Sequence, residues 1–152
     1  MRLDHGEAFN AAIAGLQRQF RAIERNAANT LAVSTKDELA THVHGAIAEA
    51  AVAKLLGSYC NLSSKDRKIP DVYPNVEVRS SPNLDSPLII RAKDPDDRKY
   101  YLVVGLYPNI KIVGWVWGHE GKHQDFYQNV KDPYWRIPQH NLTQDLIQFS
   151  YE

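Results

Sequence analysis

The stretch Lys68-Ile69-Pro70-Asp71-Val72-Tyr73-Pro74-Asn75-Val76-Glu77-Val78-Arg79 decides how this chain is read. Val76 and Val78 alternate with Glu77 and Arg79. That period of two predicts a strand with Glu77 and Arg79 on one face. Two carboxylates that meet at a strand end can hold a divalent cation. Hard ions such as Mg2+ take oxygen ligands, need few of them from protein and keep several waters. Asp71, Glu77 and one backbone carbonyl would suffice. Such an ion lowers the pKa of a bound water and neutralises charge on a phosphate. A plainer reading uses the same residues: Pro70-Asp71 is a turn, and Glu77 pairs with Arg79 or Lys68 on an exposed face. The spacing leaves both open.

Upstream, the chain reads as helical. Phe9, Ile13, Leu16, Phe20 and Ile23 predict an amphipathic helix over 7–25. Arg18, Arg21 and Arg25 lie along another face, which is either solvated or turned to phosphates. A second helix is expected from Ser34 or Thr35 to Leu56. Thr35 and Glu38 have capping-box spacing, and Gly57 is a good terminator. Within it, Glu49 has Gly45, Ala46, Val52 and Ala53 three and four residues away. A face so small and apolar packs closely, so Glu49 is expected to be at least partly buried. Burial then requires a cation, a metal or hydrogen bonds in compensation. The alternative leaves its head in water at the rim.

Residues 61–68 form a polar loop with Lys65, Arg67 and Lys68. Beyond it the pattern is β. Short strands are predicted at 76–79, 88–91 and 134–138, with turns at 80–83 and 93–97. Residues 100–106 and 110–117 read as a hairpin through Pro108-Asn109, and 123–130 as a short helix. No repeat, low-complexity tract or linker interrupts the chain. Helices first and strands second indicate an α+β class. The expected organisation is a single domain over 1–152, with a helical extension over 1–33 and a core over 34–142.

The chain has 152 residues, with 18 basic and 18 acidic, for a formal net charge of zero. That argues against coating nucleic acid by bulk charge but leaves room for a local basic patch. Cys60 is the only cysteine, so an intrachain disulfide is excluded and a reducing, cytoplasmic location is expected. Residues 1–10 lack the apolar core of a signal peptide. No run reaches the ~18 apolar residues of a membrane helix, so no membrane partner is expected.

His119-Glu120-Gly121-Lys122-His123 matches the zinc-peptidase pattern of two imidazoles on one helical face with a glutamate base. Its context is a strand end with a helix-weakening glycine. A connection carrying two surface histidines is the better reading. Trp115, Trp117, Tyr127, Tyr134 and Trp135 could stack bases, although large aromatics more often fill cores and edges.

Several motifs together carry a resemblance. They are Gly45-x3-Glu49-x2-Val52-x-Lys54-Leu55-Leu56-Gly57, Lys68-Ile69-Pro70-Asp71-Val72, Glu77-Val78-Arg79-Ser80-Ser81, Leu88-Ile89-Ile90-Arg91, Gly114-Trp115-Val116-x-Gly118 and Tyr134-Trp135-Arg136-Ile137-Pro138-Gln139. Over about two thirds of its length, the chain resembles the PD-(D/E)XK, or restriction-endonuclease-like, superfamily, and within it small phage and actinobacterial members. The resemblance implies a mixed β-sheet flanked by the two N-terminal helices. It makes Asp71 and Glu77 ligands of Mg2+ or Mn2+, and Glu49 a helix-borne acidic partner. It puts the catalytic lysine at position 79, where this chain has Arg79. Arginine is permanently charged and suits bidentate phosphate contacts better than orienting a water. Lys93, on the strand face of Arg91 by alternation, is a migrated substitute, and Lys68 a weaker one.

The activity so implied is a metal-dependent DNA endonuclease, phage-derived and working in a bacterial or phage-infected cytoplasm. A rim of Lys65, Arg67, Lys68, Arg91 and Lys93 would contact DNA, and a homodimer is compatible with it. The alternative is a catalytically degenerate DNA-binding or protein-interaction module on the same fold. A zinc peptidase using His119, Glu120 and His123 is a remote third.

Overall fold

A computed structural model describes residues 2–27, 36–62 and 68–145. The chain forms two compact units, Arg2–Tyr73 and the part from Pro74 onward. The class is mixed α+β, with two N-terminal helices followed by a small mixed sheet.

Helix α1 spans His5–Ala27 and α2 spans Lys36–Leu56. A reciprocal capping box starts α1: the Asp4 amide donates to Glu7 Oε2 at 2.7 Å, and the Glu7 amide to Asp4 Oδ1 at 2.8 Å. The two helices pack on each other through small residues. Ala8, Ala11 and Gln19 are buried on α1. A Cβ on Gly15 would sit 2.5 Å from Val43 Cα, so only glycine admits this approach.

The apolar stripe predicted for α1 exists but points outward. Phe9, Ile13, Leu16, Phe20 and Ile23 are between 36% and 59% exposed. Arg18, expected on a solvated face, is turned inward instead. Two physical causes fix this rotation. Small side chains let the helix backbones close up, and Glu49 on α2 requires a cation. Helix α2 buries Ala46, Ile47, Ala48, Ala51, Val52 and Ala53, so it is apolar around much of its circumference.

Helix α2 ends at Gly57, whose φ of 59° is the left-handed conformation typical of a helix terminator. The chain then returns through a bridge between Cys60 and Val72. The Asn61 amide donates to the Asp71 carbonyl and the Tyr73 amide to the Tyr59 carbonyl, both at 3.0 Å. This sets Asp71 beside Cys60. Lys65 and Arg67 lie outside the described residues, as does Thr35, the expected cap of α2.

The second unit holds six strands: β1 Val76–Ser81, β2 Leu88–Arg91, β3 Lys99–Val104, β4 Lys111–Trp117, β5 Tyr127–Gln128 and β6 Tyr134–Ile137. They form two three-stranded sheets, β1-β3-β4 and β2-β6-β5. The first is mixed, with β1 parallel to β3 and β3 antiparallel to β4. The second is antiparallel throughout. Their shared core contains Leu88, Ile90 and Ile137 from one sheet and Tyr100, Leu102, Val104, Val113 and Val116 from the other.

The helix expected over 123–130 does not form. Helix α3 covers only Gly118–Gly121, and a 3-10 turn at Gln124–Phe126 leads into β5. Histidine, aspartate, asparagine and aromatics are weak helix formers, and β6 offers this segment strand pairing. The strand expected to carry both Arg91 and Lys93 stops at Arg91. Asp94 Oδ2 accepts the Arg91 amide at 2.8 Å and turns the chain, leaving Lys93 exposed in the turn. Among the described residues, no helix is long and apolar enough to cross a membrane.

Candidate functional site

Among the described residues, each unit carries a buried ionic cluster. In the first, Glu49 is 7% exposed, the burial that its small neighbours led us to expect. Its compensating group is Arg18. Arg18 Nη1 donates to Glu49 Oε1 at 2.7 Å and Nη2 to Oε2 at 2.5 Å, while Nε donates to the Leu62 carbonyl at 2.9 Å. The planar fork therefore engages both carboxylate oxygens. Asp71 and Cys60 lie within electrostatic reach of the pair. Burial pushes the Cys60 thiol up to about 12, so it is no nucleophile at neutral pH.

Burial likewise pushes Glu49 up to about 7, against the Arg18 hydrogen bonds that favour its charged form, with Asp71 adding to the rise. Folding thus strengthens the hold of this carboxyl on its proton. The resulting stabilisation is complete below 4.5, the ordinary value of the carboxyl, and is lost as pH rises through about 7. Urea unfolding across that window is expected to show stability falling by at most about 1.4 kcal/mol per pH unit from this group. Glu49→Gln, which fixes the neutral form, should flatten that slope. An unchanged slope would assign the titration to another residue.

The second cluster is built on β1 and the turn before β3. The register Glu77↔Tyr100 and Arg79↔Leu102 puts Glu77 and Arg79 on the core side of their sheet, along its β1 edge. Glu77 pairs with Arg98 through Oε1 and lies 3.6 Å from Arg79 through Oε2. Arg79 also reaches Asp94 at 3.0 Å, and its guanidinium sits 5.2 Å from the centre of the Tyr100 ring. Burial, then Asp94, pushes the Tyr100 hydroxyl upward. That hydroxyl donates to the Pro95 carbonyl at 2.9 Å. The pairing of Glu77 with Arg79 is thus present, but on a largely buried face rather than an exposed one. Arg98 and Asp94 were not foreseen, because both sit in a turn outside the strand periodicity.

Of the residues proposed to share one cation, Asp71 belongs to the first unit and Glu77 to the second. Glu49 stands with Asp71, and Arg79, Arg91 and Lys93 with Glu77. Three carboxylates are matched by guanidinium groups: Glu49 by Arg18, and Glu77 and Asp94 by Arg79 and Arg98. A hard divalent ion needs donors with negative charge to spare, which Glu49 and Glu77 in these pairs do not offer. Among the described residues, no group of three or more His, Cys, Asp or Glu side chains could hold a metal ion. The peptidase pattern also loses its geometry. Helix α3 ends at Gly121, before His123, so His119 and His123 do not share a helical face.

The outer face of the antiparallel sheet differs in character. The register Ile89↔Arg136, Arg91↔Tyr134 and Gln128↔Tyr134 places Ile89, Arg91, Gln128, Tyr134 and Arg136 together. Arg91 and Arg136 are exposed at diagonal positions, and none of these five strand positions carries a carboxylate. Lys93 follows in the adjoining turn. Arg136 was not among the predicted contacts, although its alternation with the inward Ile137 marks it as outward. The aromatics are divided. Trp135 packs against the core, while Lys99 Nζ lies 4.2 Å from the centre of the Trp115 ring and 5.2 Å from that of Trp117. No protein-family model, curated protein or solved structure matches the chain.

Proposed function

We propose that this protein is a metal-independent DNA-binding module of restriction-endonuclease-like descent, in which arginines have taken the place of the cation. The observation that carries this reading is the pairing of Glu77 with both Arg98 and Arg79. A carboxylate so neutralised is a poor metal ligand and a stable structural element. The basic outer face with Arg91, Arg136 and Lys93 supports the binding role, because arginine forks suit phosphate oxygens. Lys68, exposed in the first unit, is a further candidate contact. A single cysteine suits a reducing, cytoplasmic setting in a bacterium or phage-infected host.

The test is a pair of assays on the full chain. Supercoiled plasmid with Mg2+, Mn2+ or EDTA is expected to remain intact in all three. Binding to a short duplex is expected to be indifferent to EDTA. It should weaken with salt by about 0.9 log unit per log unit of salt for each phosphate contacted. Arg91→Ala with Arg136→Ala should lower that slope by roughly two. Nicking that needs Mg2+ or Mn2+ and disappears in Asp71→Ala, Glu77→Ala would restore the nuclease reading. Absence of binding at low salt would remove the nucleic-acid role.

A further inference from the structure

The outer face of the antiparallel sheet carries more than charge. Tyr134 stands on β6, the middle strand, with Arg91 opposite on β2 and Gln128 opposite on β5. Arg136 follows two residues along β6 on the same face, with Ile89 opposite it. Tyr134 is partly exposed, and the arginines that flank it are exposed. The floor of this face is firm, because Ile90 and Trp135 on the other side of the same strands pack in the core. The adjoining turn is held as well. Lys122 Nζ donates to the Asp94 carbonyl at 2.6 Å and the Ala92 carbonyl at 3.2 Å, and meets Asp96 Oδ1 at 2.5 Å. Nearby carboxylates are engaged: Asp94 by Arg79 and the Arg91 amide, and Asp96 by Lys122. Exposed Asp97 shares its turn with Lys93, and exposed Asp132 follows Lys131.

Resting on the nucleic-acid reading above, we propose that this face takes single-stranded DNA, with an unpaired base stacked on Tyr134 and phosphates against Arg91 and Arg136. Shape separates this from duplex recognition. Three strands at ~4.8 Å spacing span roughly 10 Å before any side chain is added. The major groove, ~12 Å wide, admits a two-stranded ribbon, so this platform is too broad to enter it. Contact with a duplex from outside the groove would engage the arginines and leave Tyr134 unused. A single strand instead presents charged backbone and flat bases to one surface. Every base has a π-face, so the ring accepts any of them, while the guanidinium groups on either side meet the phosphates. Tyr134 is already fixed by its strand, so binding orders little that was free.

The full chain is titrated against a labelled oligothymidylate of about 12 nucleotides and, at the same salt, against a duplex of equal length. Fluorescence anisotropy is expected to show the single strand bound about tenfold more tightly or better, which lies within the worth of one stacked base. Tyr134→Leu, which keeps apolar bulk, should weaken single-strand binding by about fivefold to a hundredfold. Its salt slope should stay the same, because no charge is lost. Tyr134→Phe keeps the ring and should restore most of the affinity. Should the leucine variant fail to fold, wild type cross-linked by light to an iodouracil-substituted strand reads the site directly, and Tyr134 is expected to be marked. Equal or tighter binding of the duplex overturns this inference and leaves the nucleic-acid reading standing. So does single-strand binding indifferent to Tyr134→Leu, or a cross-link confined to other residues. A wild type that binds neither probe at low salt overturns both.

Discussion

Arg18→Ala is expected to destabilise the Arg2–Tyr73 unit by about 3–5 kcal/mol at alkaline pH, where Glu49 is ionised in the variant as well. The loss has a specific origin. Both Glu49 oxygens are held by the Arg18 fork in a site with little water. Removing the cation leaves a buried carboxylate without its partner, which costs far more than the surface value of an ion pair. The penalty should shrink as pH falls, and from a higher pH than in the wild type, because without the Arg18 hydrogen bonds burial and Asp71 make Glu49 hold its proton more strongly. Replacing both partners, as Arg18→Met with Glu49→Leu, should restore most of the lost stability and could exceed the wild type. Urea unfolding at acidic and alkaline pH measures all three. A cost below about 1 kcal/mol for Arg18→Ala at alkaline pH would mean that the pair is not desolvated.

The second large effect is expected at Arg98. Its side chain is as buried as that of Glu77, at 12% and 13% exposure. Arg98→Ala should therefore cost about 3 kcal/mol or more in the second unit. Arg79→Ala should cost less, because Arg79 is about one-third exposed, Glu77 keeps Arg98 and Asp94 keeps the Arg91 amide. Urea unfolding of the two variants decides which arginine holds Glu77. The reverse order would make Arg79 the structural partner and leave Arg98 peripheral. That order would also return position 79 to the centre of any account of the site.

The sequence carried element types well wherever one period dominated. Strand β2 coincides with Leu88–Arg91, and β3 and β4 form the hairpin expected around Pro108-Asn109. Glu49's burial was readable because its helical neighbours are small and apolar. Its partner was not. Arg18 is 31 residues away, on a face whose charge suggested water. The rotation of α1 was hidden for a related reason. A hydrophobic stripe shows that a helix is amphipathic, not which of its surfaces is covered within the chain. Here glycine and alanine at Ala8, Ala11 and Gly15 won the internal contact through close backbone approach. The alternation of Glu77 and Arg79 was legible and held. Their true setting depended on β1 pairing in parallel with β3, and no local pattern announces that pairing.

The tryptophans at 115, 117 and 135 all belong to the strand-rich unit, while the long helices of 23 and 21 residues both belong to the other. Nature has in effect labelled the halves with separate optical reporters. Indole emission follows the β part alone, with Lys99 lying over two of the three rings. Far-ultraviolet circular dichroism is dominated by the helical part, since α3 adds only four residues. The melting of each half can thus be followed in the intact chain without cutting it, attaching a dye or engineering a probe.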